Sequence, residues 1–113
     1  NELFICTSAG EIYRYNRATG GNELASNASA ENCRTIVIVA GAVYGADPFT
    51  SGELIRWDGD TLDETGRWAL AANTLGLLCT DGSDVFDFVD NAGTVAMVRF
   101  NGSTWDTVVA DMG

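Results

Sequence analysis

Four acids fall in one short stretch, Asp58-Gly59-Asp60-Thr61-Leu62-Asp63-Glu64. Carboxylates packed into one loop supply hard oxygen ligands, the kind that suit a calcium ion. The spacing departs from the twelve-residue helix–loop–helix calcium site, which needs acids at its first, third and fifth positions and a glutamate at its last. Asp58, Asp60, Asp63 and Glu64 are therefore read as candidate ligands of a structural Ca²⁺, and no other cofactor is expected. A second acidic set, Asp81, Asp84, Asp87 and Asp90, is spaced by threes. The stretch Val85 to Val89 reads as a strand, where residues an odd number apart point to opposite faces, so Asp87 and Asp90 should not converge.

Nucleophilic and general-base chemistry lack their usual parts. The chain contains no histidine and no lysine; all six bases are arginines. A serine or cysteine nucleophile would have no imidazole beside it, and amine chemistry is excluded. Paired carboxylates acting on a glycoside are the one catalytic arrangement left. Acids grouped with glycine and threonine more commonly shape turns, so the expectation is a protein that is not an enzyme.

Three tryptophans, Trp57, Trp68 and Trp105, are the candidates for contact with a ligand or partner. Exposed indoles stack on sugar rings and anchor protein interfaces. Two glycosylation tripeptides occur, Asn27-Ala28-Ser29 and Asn101-Gly102-Ser103. Asn101 also stands where a turn wants Asn-Gly, whereas Asn27 lies in the polar segment 22–34, read as a surface loop. Cys6, Cys33 and Cys79 allow one intrachain bridge and leave one thiol over. Cys33, in a polar stretch, is the better candidate for pairing; Cys6 and Cys79 read as small apolar strand residues. The pairing itself is left open by the sequence.

The elements that must position these groups repeat. Arg14-Tyr15-Asn16 recurs as Arg56-Trp57-Asp58 and again as Arg99-Phe100-Asn101, 42 and then 43 residues on. An aliphatic–aromatic pair precedes each phrase: Leu3-Phe4, Val43-Tyr44 and Val85-Phe86. Gly10, Gly52 and Gly93 lie between pair and phrase. Gly20-Gly21, Asp58-Gly59 and Asn101-Gly102 follow the phrases and read as tight hairpin turns. Apolar runs Thr35–Ala40 and Leu75–Thr80 close the first two units. Four short strands in 40–45 residues, with β-branched and aromatic runs separated by glycine, asparagine and aspartate, is the pattern of one propeller blade. Helix has no support beyond one turn's worth of residues at Ala69–Ala72.

The expectation is an all-β chain, a single domain over 1–113, built of propeller-like four-stranded antiparallel units at about 1–41, 42–82 and 83–113. The third unit lacks its last strand. The alternative is a β-sandwich or jelly roll formed by duplication. The pattern resembles β-propeller repeats in general. It is not similar to the blades marked by Gly-His and Trp-Asp pairs, nor to kelch blades, whose double glycines do not recur here.

About four to eight blades normally close a ring. Fewer leave strand edges that template pairing with another chain. The chain is then expected to be a piece of a longer propeller, to form a ring with copies of itself, or to polymerise. The start at Asn1, without methionine, reads as a removed leader or an excerpt. Composition narrows the partners. Sixteen acids against six bases give a net charge of −10, which repels nucleic-acid backbones. No apolar run is long enough for a membrane-spanning helix. The function expected is a non-enzymatic extracellular structural module, at a cell or virion surface, that self-assembles through sheet edges into a ring or filament. The alternative is a glycan-binding, lectin-like module. The partners expected are further copies of the chain, with glycans in the second reading.

Overall fold

The computed structural model describes residues 2–7, 11–16, 18–24, 33–49 and 51–113. All regular structure among them is β. Eleven strands form three antiparallel sheets. The first contains β1 (Glu2–Cys6), β2 (Ile12–Asn16) and β3 (Gly21–Leu24), so the predicted loop 22–34 begins inside a strand. The second is β4 (Thr35–Val39), β5 (Ala42–Asp47), β6 (Glu53–Asp58) and β7 (Glu64–Ala69), in chain order across the sheet. The third runs β8 (Cys79–Thr80), β9 (Val85–Asn91), β10 (Thr94–Phe100) and β11 (Trp105–Val109), also in chain order.

Pairing regroups the sequence units. The apolar run 35–40 does not close the first sheet; its strand β4 pairs with β5 and opens the second. In the same way β8 pairs with β9. The third sheet consequently has four strands, and the sheet with three described strands is the first. Sequence similarity marks where a unit recurs but not which neighbour an edge strand bonds to, so by pairing the sheet with three described strands is the first rather than the third.

Alternation along the strands gives each sheet two faces. In β5 and β6, Val43, Ile55 and Trp57 pack with Ile12, Phe4 and Cys6 of the first sheet. Tyr44, Ala46 and Leu54 face the other way and pack with Val85, Phe100 and Trp105 of the third. The second sheet is thus covered on both sides. Its neighbours repeat its polarity: Phe4 points forward into the second sheet as Tyr44 points forward into the third, and Val85 points back as Val43 does.

The repeated phrase now has a physical reading. Its aromatic faces back and fills the space between sheets: Trp57 is 1% exposed and Phe100 8%. Its arginine faces forward, opposite an outer-strand residue. Arg14 pairs with Glu23 at 2.5 Å and Arg99 with Asp106 at 3.8 Å. Arg56 is opposite Gly66 and lies instead over the Trp68 ring at 4.9 Å. Its asparagine or aspartate ties the following turn. Asn16 Oδ1 accepts from the Ala18 amide at 2.9 Å, Asp58 Oδ1 from Asp60 at 2.8 Å and Thr61 at 3.0 Å, and Asn101 Oδ1 from Ser103 at 3.1 Å and Thr104 at 2.9 Å.

The two-residue hairpins lie elsewhere than the Asp-Gly and Asn-Gly pairs suggest. They are Ala40-Gly41 and Ala92-Gly93, with φ of 49° and 78°, and of 53° and 93°. Both residues of each turn are left-handed, as a twisted hairpin requires. Gly59 is needed for a different reason: a Cβ there would stand 2.4 Å from the Gly41 carbonyl oxygen. Alanine in the left-handed region is strained by about 1–2 kcal/mol. Replacing Ala92 with asparagine should therefore raise stability by about 1 kcal/mol, seen as a melting temperature several degrees higher.

Candidate functional site

Two of the four residues read as calcium ligands, Asp58 and Glu64, have their carboxylates engaged by the fold. Asp58 caps its own turn, and the amides of Thr61 and Asp60 hold its carboxyl below the usual carboxylate range. Glu64 is bound to Arg67 at 2.8 Å. Asp60 and Asp63 are exposed on the turn, and the Asp60 carbonyl accepts a hydrogen bond from Arg14. No group of three acidic, histidine or cysteine side chains that could hold a metal ion occurs among the described residues.

In the second acidic set Asp81 also caps a turn. The amides of Asp84 and Ser83, each at 2.9 Å, hold its carboxyl low. Asp87 is fully buried and Asp90 is exposed, on opposite faces of β9 as the alternation predicts.

The tryptophans are structural first. Trp57 lies in the core between the first two sheets, so burial takes it away from any outside ligand. Trp68 and Trp105 are half-buried and clamp the outer strands of the second and third sheets around Phe100. Ring centroids lie at 5.0 Å and 5.3 Å, and the Trp105 Nε1–H donates to the Ala69 carbonyl at 3.0 Å. Gly66 makes this possible, since a Cβ there would meet the Trp68 ring at 2.2 Å. The Asn101 side-chain amide donates to Thr104 Oγ1 and Asp106 Oδ1 at 2.9 and 3.2 Å. Asn27 lies outside the described residues.

Two features remain that the fold does not use up. The first is a place beside β1. In the other sheets the equivalent strand, β5 or β9, has β4 or β8 on its far side. Among the described residues nothing pairs with the corresponding edge of β1. β4 lies against β8 on one side and near β1 on the other. The side chains around the gap are apolar and uncovered: Leu3 is 55% exposed, Ile5 43% and Ile38 48%. The alternation Leu3-Phe4-Ile5-Cys6 carried this signal, because a strand apolar on both faces is a strand meant to be covered on both. At the opposite end of the molecule the forward face of the third sheet carries Phe86, Phe88 and Met97, all half-buried, with Val109 at 36% and Met112 nearby at 49%.

The second feature is a groove between the second and third sheets, about 400 Å³, lined by Tyr44, Arg56, Asp84, Arg99 and Asn101 among others. At the corresponding place between the first and second sheets, Gly59 sits on the Gly41 carbonyl, and Arg14 donates to the Gly59 oxygen at 2.8 Å. Arg56, equivalent to Arg14, folds onto Trp68 and Thr65 and leaves the space open.

Neither a protein-family model nor a curated protein matches the chain. Among the described residues no helix is long and apolar enough to cross a membrane.

Proposed function

We propose that the chain is a set of propeller-like, blade-type repeats working as a non-enzymatic structural module, extracellular or displayed on a cell or virion surface. It assembles head to tail through its end sheets and the open edge of β1. One observation carries the reading: among the described residues the first sheet has, beside β1, no counterpart of the strand that both other sheets have, and the apolar side chains Leu3, Ile5 and Ile38 around that place are exposed. The backward face of the first sheet and the forward face of the third have the polarity of the two inter-sheet contacts inside the chain. A contact between unlike faces repeats from copy to copy, giving a ring where the rotation closes and a filament where it does not. The net charge of −10 opposes close approach, so added salt should favour assembly.

Light scattering across concentration and salt, with negative-stain imaging, tests this. Particles of several chain masses are expected, and Ile5→Lys, an exposed position, should weaken association by at least about tenfold without lowering the melting temperature. A monodisperse monomer at millimolar concentration and high salt would sink the proposal. It would leave the groove lined by Tyr44, Arg56 and Arg99 as the place to look for a small ligand such as a glycan.

A further inference from the structure

We infer that Cys6 and Cys33 are a redox pair that closes into a disulfide, fastening the first sheet to the segment that leads into the second.

The topology brings the two together. Cys6 ends β1 with its side chain forward, and Cys33 stands two residues before β4 in the same apolar cluster as Ile12, Val43 and Trp57. Cys33 is 7% exposed and Cys6 half-buried, and both are unbonded thiols here. Their side chains interact directly. The Cys33 thiol donates to the Thr35 carbonyl at 3.4 Å, and its interaction with the Cys6 sulfur favours negative charge there and draws Cys6 below the ordinary thiol range. Cys33, beside that charge and buried, is driven above it. The fold also keeps a slot for the Cys33 sulfur. The backbone at Gly45 is directly below it, and a Cβ there would come within 2.9 Å of Sγ and 3.0 Å of the Trp57 ring.

These positions set the order of reaction. A low-molecular-weight disulfide such as oxidised glutathione is the oxidant. The Cys6 thiolate attacks one of its sulfurs, and the other leaves as a thiolate. Cys33 gives up its proton to that leaving thiolate and attacks the Cys6 sulfur of the mixed disulfide, expelling the second glutathione thiol. Two protein thiols become one disulfide, and the two electrons and two protons end on two molecules of reduced glutathione. Cys79 is left out. It lies on β8 in the third sheet, and partial burial, Asp87 and Asp81 all raise its thiol above the ordinary value, so it is a poorer attacker than Cys6 at neutral pH.

The bridge would enclose residues 7–32 and with them the whole of the first sheet's second and third strands. Closing a loop of that length restricts the unfolded chain enough to raise a melting temperature by roughly ten degrees. This holds whether or not the chain assembles.

The test titrates the purified chain with oxidised and reduced glutathione. The readouts are alkylation with mass mapping of every thiol and the melting temperature at each poise. Expected are a Cys6–Cys33 cross-link, one alkylated thiol at Cys79, and a melting temperature roughly ten degrees above the reduced chain. Cys79→Ser should keep the redox-dependent shift, and Cys6→Ser and Cys33→Ser should each abolish it. Both of the latter variants are compared with the reduced wild type, so any packing defect shows as a change at reducing poise. Three alkylatable thiols under full oxidation, a stable glutathione adduct on Cys6, or a cross-link that includes Cys79 would each overturn the inference.

Discussion

Replacing Trp57 with alanine costs about 3–5 kcal/mol, and replacing Tyr15 at the equivalent position of the repeat costs about 1 kcal/mol or less. Both residues are the aromatic of the same phrase, and both point backward from the second strand of their sheet. The difference is what stands behind them. Trp57 is 1% exposed, with Ile12, Val43, Ile55 and Leu62 around it and the side-chain-free Gly45 against its ring. Deleting it opens a large cavity in the contact that holds the first sheet to the second. Tyr15 is half-exposed on a face with no sheet behind it among the described residues. A domain of this size has about 5–15 kcal/mol in total, so the Trp57 variant loses a large share of it. Urea denaturation followed by circular dichroism reads the difference directly. Equal costs at the two positions would mean that the backward face of the first sheet is already covered in the isolated chain, and the assembly proposal would lose its basis.

Most of the strand content was legible because period-2 alternation and Gly or Asx punctuation are local signals. β5 and β9 lie where Val43-Tyr44 and the run Val85 to Val89 place them. The pairing of the apolar runs was not legible. Thr35–Val39 is equally apolar whether it ends one sheet or begins the next, and only the Ala40-Gly41 hairpin, with both residues left-handed, decides that it turns straight into β5. Alanine gave no warning there, because the turn type favours asparagine, aspartate or glycine at that position. Gly59 misled in the opposite sense: it is required by contact with Gly41, not by its own dihedral.

The candidate site was legible only in part. Trp68 and Trp105 do flank turns, but their rings are drawn inward by Phe100, a tertiary contact with no sequence signature. Asp58 and Asp81 resemble metal ligands in sequence for the same reason that they cap turns: a short carboxylate beside glycine accepts hydrogen bonds from whatever donor is near, amide or cation. Asp87 stood out in the sequence only as one of an acidic set; its burial had no local signal, since an acid on the buried face of a strand breaks the alternation rule and is tolerated only where donors converge on it.

That convergence makes Asp87→Ala the second large effect. Asp87 is completely buried; one carboxylate oxygen accepts from the amides of Leu77 at 3.0 Å and Phe88 at 2.7 Å, and the other from Thr74 Oγ1. Thr74 in turn accepts from the Gly76 amide at 3.0 Å. The segment between β7 and β8 has little sheet of its own: a single bridge from Thr74 to Val89, and backbone bonds from Leu75 to Phe88 and from Asp90 to Asn73. The carboxylate stands in for the missing ladder. Removing it leaves the Leu77 amide and the Thr74 hydroxyl without their acceptor, at about 1–3 kcal/mol each, for a total of about 3–4 kcal/mol. Asp87→Asn keeps one carbonyl oxygen and should lose about half of that. The loss is local before it is global, so hydrogen exchange at Leu75, Leu77 and Leu78 should accelerate well ahead of exchange in β5 or β10. Because this segment delivers β8 to the edge of the third sheet, loosening it opens an edge of β9, as the corresponding edge of β1 is unpaired among the described residues of the first. The variant should therefore associate at lower concentration than the wild type, and unchanged exchange at Leu77 would show that the buried acid does not hold that strand in place.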